Sequence, residues 1–331
     1  MRQWIARNPL QLLLWSALAL ALAYPNLGRS GTIWHPERLV SLGVSVMFFM
    51  HGLALPAREL WHGVRDWRLH IVIQLCTFAV FPLLGFAILV GGGAILDTPV
   101  RLGFFVLCAT SSTIATAVAL TGQANGRVGL ALFNASLSSV LGVVLTPLLA
   151  GLVAAQAGLT ISWLPTIEQI LLRVLLPLAL GQTLRFMWGS GHTKLSRYTA
   201  LVDYASIALT VFNALCDSVS QGAFSHSGAG ELVMITLTAS GLFWLIVFGL
   251  KLLCRTFGVN QADQIAVVFC GSQKSIANGL PIAKIIFAGS ANLGLMILPL
   301  VIYHQFQLIY SSLLVNGFIK TAATDSAASA R

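Results

Sequence analysis

Long apolar runs separated by short polar stretches fill almost the whole chain. In the first half they cover about Leu10–Tyr24, Leu39–Leu55, His70–Val90, Leu102–Leu120 and Val128–Ala154. The second half gives Ile167–Phe186, Leu201–Val219, Glu231–Leu253, Ala262–Phe287 and Leu293–Phe318. The nine runs after the first are each near or above the ~20 residues that cross the hydrocarbon layer as a helix. The pattern predicts an all-α polytopic membrane protein with ten transmembrane helices. The first run follows Arg2 and Arg7 and ends in Ala21-Leu22-Ala23, which also fits a cleaved signal peptide. A helix is preferred there because it gives the sixth run a partner in the repeat described below. Between runs two and three, Pro56 to Arg68 is Trp-rich and amphipathic, suited to the membrane interface. The polar stretch 320–331 reads as a disordered cytoplasmic tail.

Two of the runs are interrupted by polar residues, and the interruptions match. Val106-Leu107-Cys108-Ala109-Thr110-Ser111-Ser112-Thr113-Ile114-Ala115 is echoed by Val268-Phe269-Cys270-Gly271-Ser272-Gln273-Lys274-Ser275-Ile276-Ala277. The offset is constant (268 − 106 = 162 and 277 − 115 = 162), with Val, Cys, Ile and Ala in register. Matching breaks in two halves of a hydrophobic chain are the mark of a secondary transporter built from repeats. Five spans per half is an odd number, so the second copy enters the membrane upside down. The expected organisation is one repeat over 1–155 and an inverted one over 156–319, with spans four and nine broken and crossing near the midplane. Unwound backbone and half-helix ends at such a crossing hold ions and anions.

The candidate site follows from these breaks. A lysine at the centre of a span is costly and is retained where the protein uses or neutralises it. Lys274 is therefore the leading residue, with Gln273, Ser272, Ser275 and Asn278 beside it. Thr110, Ser111, Ser112 and Thr113 form the matching break. Asn134 and Ser138, spaced i, i+4, share one face of span five. His304 and Gln305 read as a satisfied polar pair in the core, and Asp203 as an interfacial residue. The acidic residues all fall in loops, tails or at span ends, so Lys274 has no obvious carboxylate partner. The expectation is that its ammonium replaces a bound cation. Either it gives up its proton or a substrate anion supplies the counter-charge, which would link anion binding to protons.

Composition agrees and narrows the options. The 331 residues are 57% hydrophobic and 9% charged, against about 25% charged in soluble domains. The net charge of +9 is carried by Lys and Arg scattered singly through loops, so nucleic acid is excluded as a partner. The basic residues are biased to one side: Arg2, Arg7, Arg58, Arg65, Arg68, Arg127, Arg185, Lys194, Arg197, Lys251, Arg255, Lys320 and Arg331. The opposite side has Arg29, Arg38, Arg101 and Lys284, with Arg173 just inside span six. The bias predicts an inner (plasma) membrane protein with both termini cytoplasmic. The cysteines are odd in number and form no C-x-x-C pair, so neither a disulfide framework nor a metal site is indicated. Metalloprotease and nucleophile-elbow motifs are absent, and the spans hold no paired aspartates, so the chain does not read as an intramembrane enzyme. A transporter-shaped regulator is the alternative that the sequence leaves open.

On these residues the chain resembles the bile acid:sodium symporter family, most closely its divergent bacterial branch. The resemblance rests on Cys108 to Leu149 and Phe269 to Phe287, with Ile73-Gln74, Phe81-Pro82, Leu176-Pro177 and Gly181-Gln182, and extends over about Leu10 to Phe318. It implies a panel of spans one, two, six and seven, and a core of the others that holds the crossed helices. The implied substrate is an organic anion, bile-acid-like, steroid-like or a small carboxylate, and no cofactor is implied. The sodium-coupled members' ligand positions are altered here. Their Glu falls on Phe269 and their Asn on Lys274, while the Gln is kept as Gln273. Ile114, Ala115, Ala131, Ala135 and Thr77 stand at further ligand positions. Sodium, the coupling ion of the family, is thus expected to stimulate binding weakly or not at all.

Overall fold

The structure, a computed structural model, describes residues 9–54, 66–156, 163–188, 195–223 and 229–329. Arg2, Arg7 and most of the interfacial stretch expected after Pro56 lie outside the described residues. Helix α1 spans Pro9–Ala23 and α2 Pro36–Ala54. Helix α3 runs Trp67–Ala94, followed by α4 (Thr98–Ala109), α5 (Ile114–Gln123) and α6 (Val128–Gln156). Helix α7 runs Leu164–Trp188, then α8 (Thr199–Ser220) and α9 (Ala229–Thr256). The chain closes with α10 (Gln261–Ser272), α11 (Ile276–Ile286) and α12 (Leu293–Ser329). The last helix continues past Phe318, the end of the expected final span, to Ser329.

Seven of these helices are long and apolar enough to cross a membrane, and α4 with α5, bent by 63°, makes an eighth. The sequence reading expects ten. The difference lies in α1 and in the broken elements. A hydropathy window slides over a break, whereas α10, with 12 residues, is only about 18 Å long. That is short of the ~30 Å hydrocarbon core.

Two helices carry a π turn, and each precedes a proline. In α3 the turn is Cys76–Val80 before Pro82; in α7 it is Leu171–Leu175 before Pro177. Proline has no N–H and crowds the preceding turn, and the wider π turn accommodates it. The consequence in α3 is specific. Phe81 N–H bonds the Cys76 carbonyl, in i→i−5 register. The next bond in that register would run from Pro82 to Thr77, and Pro82 has no proton to give, so the Thr77 carbonyl is left free.

Packing sorts the helices into two groups. Helix α2 packs on α7 and α8, and α1 packs on α8. Helices α3, α4, α5, α6, α9, α10, α11 and α12 pack among themselves, chiefly α4 against α3 and α12, and α6 against α4, α5, α10 and α11. The groups meet mainly where α8 touches α11 and α12. At one end of that seam Asp217 accepts from the Ser30 N–H and hydroxyl, both at 2.6 Å. Asn213 donates to the Gly28 carbonyl at 2.7 Å and accepts from Lys284 Nζ. In the second group, Arg127 pairs with Asp66 (3.0 Å) and Asp263 (2.6 Å), tying the α5–α6 turn to the starts of α3 and α10.

Candidate functional site

The two polar interruptions both leave helical geometry, and they are bonded to each other; the place where they meet is termed the crossing. Thr110 and Thr113 bracket the first break with ψ of 155° and 140°; Gln273 and Ser275 bracket the second with ψ of 140° and 109°. Extended backbone inside a membrane protein exposes N–H and C=O groups that must all find partners. The close approach needs small residues. A Cβ on Gly279 would lie 2.2 Å from Thr110 Cγ2, and one on Gly142 would lie 2.4 Å from Ser111 Cβ.

The carbonyls at the end of α4 can be followed one by one. A helix leaves its last four carbonyls unpaired, at the negative end of its dipole. Thr110 returns its N–H (3.3 Å) and hydroxyl (2.8 Å) to Leu107 O. Lys274 Nζ donates to Cys108 O at 2.8 Å, and the Thr146 hydroxyl to Ala109 O at 2.9 Å. Lys274 Nζ donates again to Thr110 O at 2.8 Å, and Ser275 N–H to Ser111 O at 2.8 Å. The third Nζ bond, at 3.0 Å, goes to the Thr77 carbonyl freed by Pro82. The ammonium also lies 4.0 Å from the centre of the Phe81 ring, a cation–π contact. Lys274 is completely buried.

The second break is held by α12. Tyr303, Gln307 and Ser311, spaced i, i+4, i+8, line one face and read three successive residues. The Tyr303 hydroxyl donates to Ser272 O at 2.7 Å, and Gln273 donates to Ser311 Oγ at 2.7 Å. Gln307 accepts from the Lys274 N–H (2.8 Å) and donates to the Lys274 carbonyl (3.0 Å). Further bonds stitch the breaks to each other and to α6. Ser112 Oγ donates to Cys270 O at 2.8 Å, and Ser112 N–H donates to Ser138 Oγ at 2.9 Å. Asn278 Nδ2 reaches Ser111 Oγ at 2.7 Å and Ser139 Oγ at 3.1 Å. The Ser275 hydroxyl caps α11 through the Asn278 N–H.

Of the residues singled out by sequence, Lys274, Gln273, Ser272, Ser275, Asn278, Thr110, Ser111, Ser112 and Ser138 are thus buried together at the crossing. Thr113 sits at its half-buried edge as the first residue before α5, with a hydroxyl that has no partner among the described residues. Asn134 is not part of the crossing. It turns to α3, donating to His70 Nδ1 at 2.9 Å and accepting from Gln74 at 3.4 Å. His304 is bonded through Nδ1 to Gln307, but its Nε2 and the Gln305 amide nitrogen are unpartnered, so the two are not the satisfied pair expected. Asp203 pairs with His51 at 2.9 Å.

Gln307, Tyr303 and Ser311 escaped the sequence reading, although their spacing was a visible signal. The carbonyls of Thr77 and Cys108 and the Phe81 ring gave no such signal. A cavity of about 390 Å³ lies elsewhere, between α1, α8, α9 and α12, with walls such as Leu18, Ile235 and Val301.

The helical spans, with α4 and α5 as one bent pair, are those of a multi-pass membrane protein, and its relatives put it in the class of symporter-like membrane transporters. Comparison with known proteins gives the family. The chain belongs to the SBF-like CPA transporter family (DUF4137), whose profile matches residues 8–320. It is 35% identical to "Uncharacterized protein PA2026" of Pseudomonas aeruginosa over 305 residues, 92% of this chain and 91% of that one. It is likewise 35% identical to "Putative symporter YfeH" of Escherichia coli K12 over 311 residues, 94% and 92% of the two chains. Sodium/bile acid cotransporter 7 of Danio rerio is 29% identical over 309 residues, 92% and 91% of the two.

Proposed function

We propose that the protein is a secondary active transporter of an organic anion across the inner membrane, with its site at the crossing of the two breaks. In this reading α4 with α5, and α10 with α11, are spans four and nine of a ten-span fold made of two inverted repeats. The repeats are residues 1–155 and 156–319, and both termini are cytoplasmic. Helices α1, α2, α7 and α8 form the panel, and the other group forms the core. The observation that carries the reading is the direct bonding of one break to the other, Ser275 N–H to Ser111 O and Lys274 Nζ to Thr110 O.

The crossing also supports anion recognition. Helix α5 begins at the break with no side-chain cap on its first N–H groups, and the Thr113 hydroxyl beside it is unpartnered. Uncapped N–H groups at the positive end of a helix dipole attract anions. The names of the vertebrate relatives attach bile acid to those proteins, which makes sulfated or carboxylated steroids the first substrates to try.

The test is uptake of sulfated steroids and small carboxylates into proteoliposomes that hold the purified protein, with sodium present or replaced. Saturable uptake of one of these anions, weakened in the folded Thr113→Ala variant, supports the reading. Absence of uptake and binding across the panel would refute it.

A further inference from the structure

We propose that the Lys274 ammonium is a tethered cation occupying a monovalent-cation cage, and that removing the side chain leaves a site which binds a free ammonium or potassium ion. The proposal rests on the reading of the crossing as the working site.

The cage is defined by its oxygens. Three backbone carbonyls, of Thr77, Cys108 and Thr110, converge on Nζ at 3.0, 2.8 and 2.8 Å. They come from two separate causes, the missing N–H of Pro82 and the unpaired end of α4. Three acceptors require three N–H donors, which the ammonium supplies. The Phe81 ring closes a further side at 4.0 Å. Among the described residues no carboxylate forms an ion pair with Lys274. A buried charge held only by neutral oxygens and a ring face is how proteins bind monovalent cations, with carbonyl groups replacing the hydration shell. The oxygen shell is wider than the 2.3–2.6 Å of calcium ligands. It fits a large, singly charged ion, and ammonium most directly.

The consequence for transport is mechanistic. A symported ion must bind on one side and leave on the other. An ammonium fixed to the chain travels with the empty carrier as well as the loaded one, so it stores no ion gradient. With three carbonyls already bonded to Nζ in this structure, no sodium ion is admitted at that position. An anion carried past it would be driven by exchange against a second solute.

The experiment uses the purified full-length protein and its Lys274→Ala and Lys274→Asn variants in detergent. Thermal unfolding is followed against ammonium, potassium and sodium chloride, with N-methylglucamine chloride keeping ionic strength constant. The expected result is a saturable rise in Tm for at least one variant, of about 5 °C, with ammonium and potassium above sodium. The wild type should not respond. A variant whose Tm ignores small cations, or rises no more than that of the wild type, would overturn the proposal. So would failure of both variants to yield folded protein even in ammonium chloride. The readout needs no substrate. A cation response without anion uptake would keep the cage and discard the transport reading; uptake without a cation response would do the reverse.

Discussion

The two breaks occupy matching places in the two halves of the sequence, yet chemically they are opposites. The first, Thr110 to Thr113, offers carbonyls: Thr110 O and Ser111 O both accept from the other break. The second, Gln273 to Ser275, offers donors: the Lys274 ammonium and the Ser275 N–H. Their supports differ in the same way. Short hydroxyls on α6 hold the first break, Ser138 to Ser112 N–H and Thr146 to Ala109 O. On α12 the hydroxyls of Tyr303 and Ser311 meet the residues just before Lys274, and the Gln307 amide clasps both backbone groups of Lys274 itself. The contrast teaches that a duplicated motif need not stay symmetric. The Ser275 N–H bond is open to any backbone, but only the second break carries an ammonium to meet the first break's carbonyls.

The largest effect should come from forcing the breaks apart. A side chain at Gly279 would meet Thr110 Cγ2 at 2.2 Å and Leu300 Cδ2 at 2.9 Å. Thr110 is not free to yield, because its hydroxyl is bonded to Leu107 O. Gly279→Val is expected to cost about 3 kcal/mol or more by overpacking. Loss of the monodisperse peak in size-exclusion chromatography, or a large fall in Tm, checks it. A wild-type profile would mean that the crossing is loose.

Next come the clasps, which test the asymmetry directly. Gln307→Leu leaves the Lys274 N–H and C=O unpaired in a dry interior, at about 1–3 kcal/mol for each group. Gln307→Glu keeps the acceptor and loses the donor to Lys274 O, so it should fall between wild type and Leu. On the other break, Ser138→Ala orphans only the Ser112 N–H, at about 1–2 kcal/mol. Thermal unfolding of the three variants should therefore rank Gln307→Leu below Ser138→Ala. The reverse order would show that the first break carries the stability.

Much of this was legible in the sequence because it is written in side chains. The echo of ten residues located both breaks, and the cost of a mid-span lysine singled out Lys274. Ser138 was found by its i, i+4 relation to Asn134, which itself turned away toward His70. What the sequence concealed belongs to the backbone. Carbonyl oxygens have no letters, so the cage at Lys274 could be inferred only from what frees them, Pro82 and the end of α4. The counter-ion that the sequence leads one to expect is an anion, because the spans offer Lys274 no carboxylate side chain. Helix length and composition support seven spans, or eight with α4 and α5 taken as one, against the ten expected from sequence, and α10 by itself is shorter than a bilayer. Had Tyr303, Gln307 and Ser311 been read as one helix face, the support of the second break would have been visible in advance.

The smallest effect on stability should come at Thr113, and there the two breaks differ most usefully. The equivalent residue of the second break is Ser275, whose hydroxyl caps α11 by accepting from the Asn278 N–H at 3.2 Å. Thr113 precedes α5 in the same way, but no side-chain cap forms, and its hydroxyl has no partner. Ser275→Ala thus removes a cap and is expected to cost about 1 kcal/mol. Thr113→Ala removes an unused hydroxyl and should stay within about 0.5 kcal/mol of wild type. If the uncapped end of α5 is where a substrate anion docks, that unused hydroxyl is available to the ligand. Thr113→Ala should then weaken anion binding about tenfold, the equivalent of one charge-assisted hydrogen bond of ~1.4 kcal/mol, with Tm unchanged. Ser275→Ala should show the opposite signature, a lower Tm with little direct loss of affinity. Titration of the purified variants with the transported anion, alongside unfolding curves, separates the two. Equal affinity for Thr113→Ala and wild type would move the anion away from α5 and leave the first break a purely structural element.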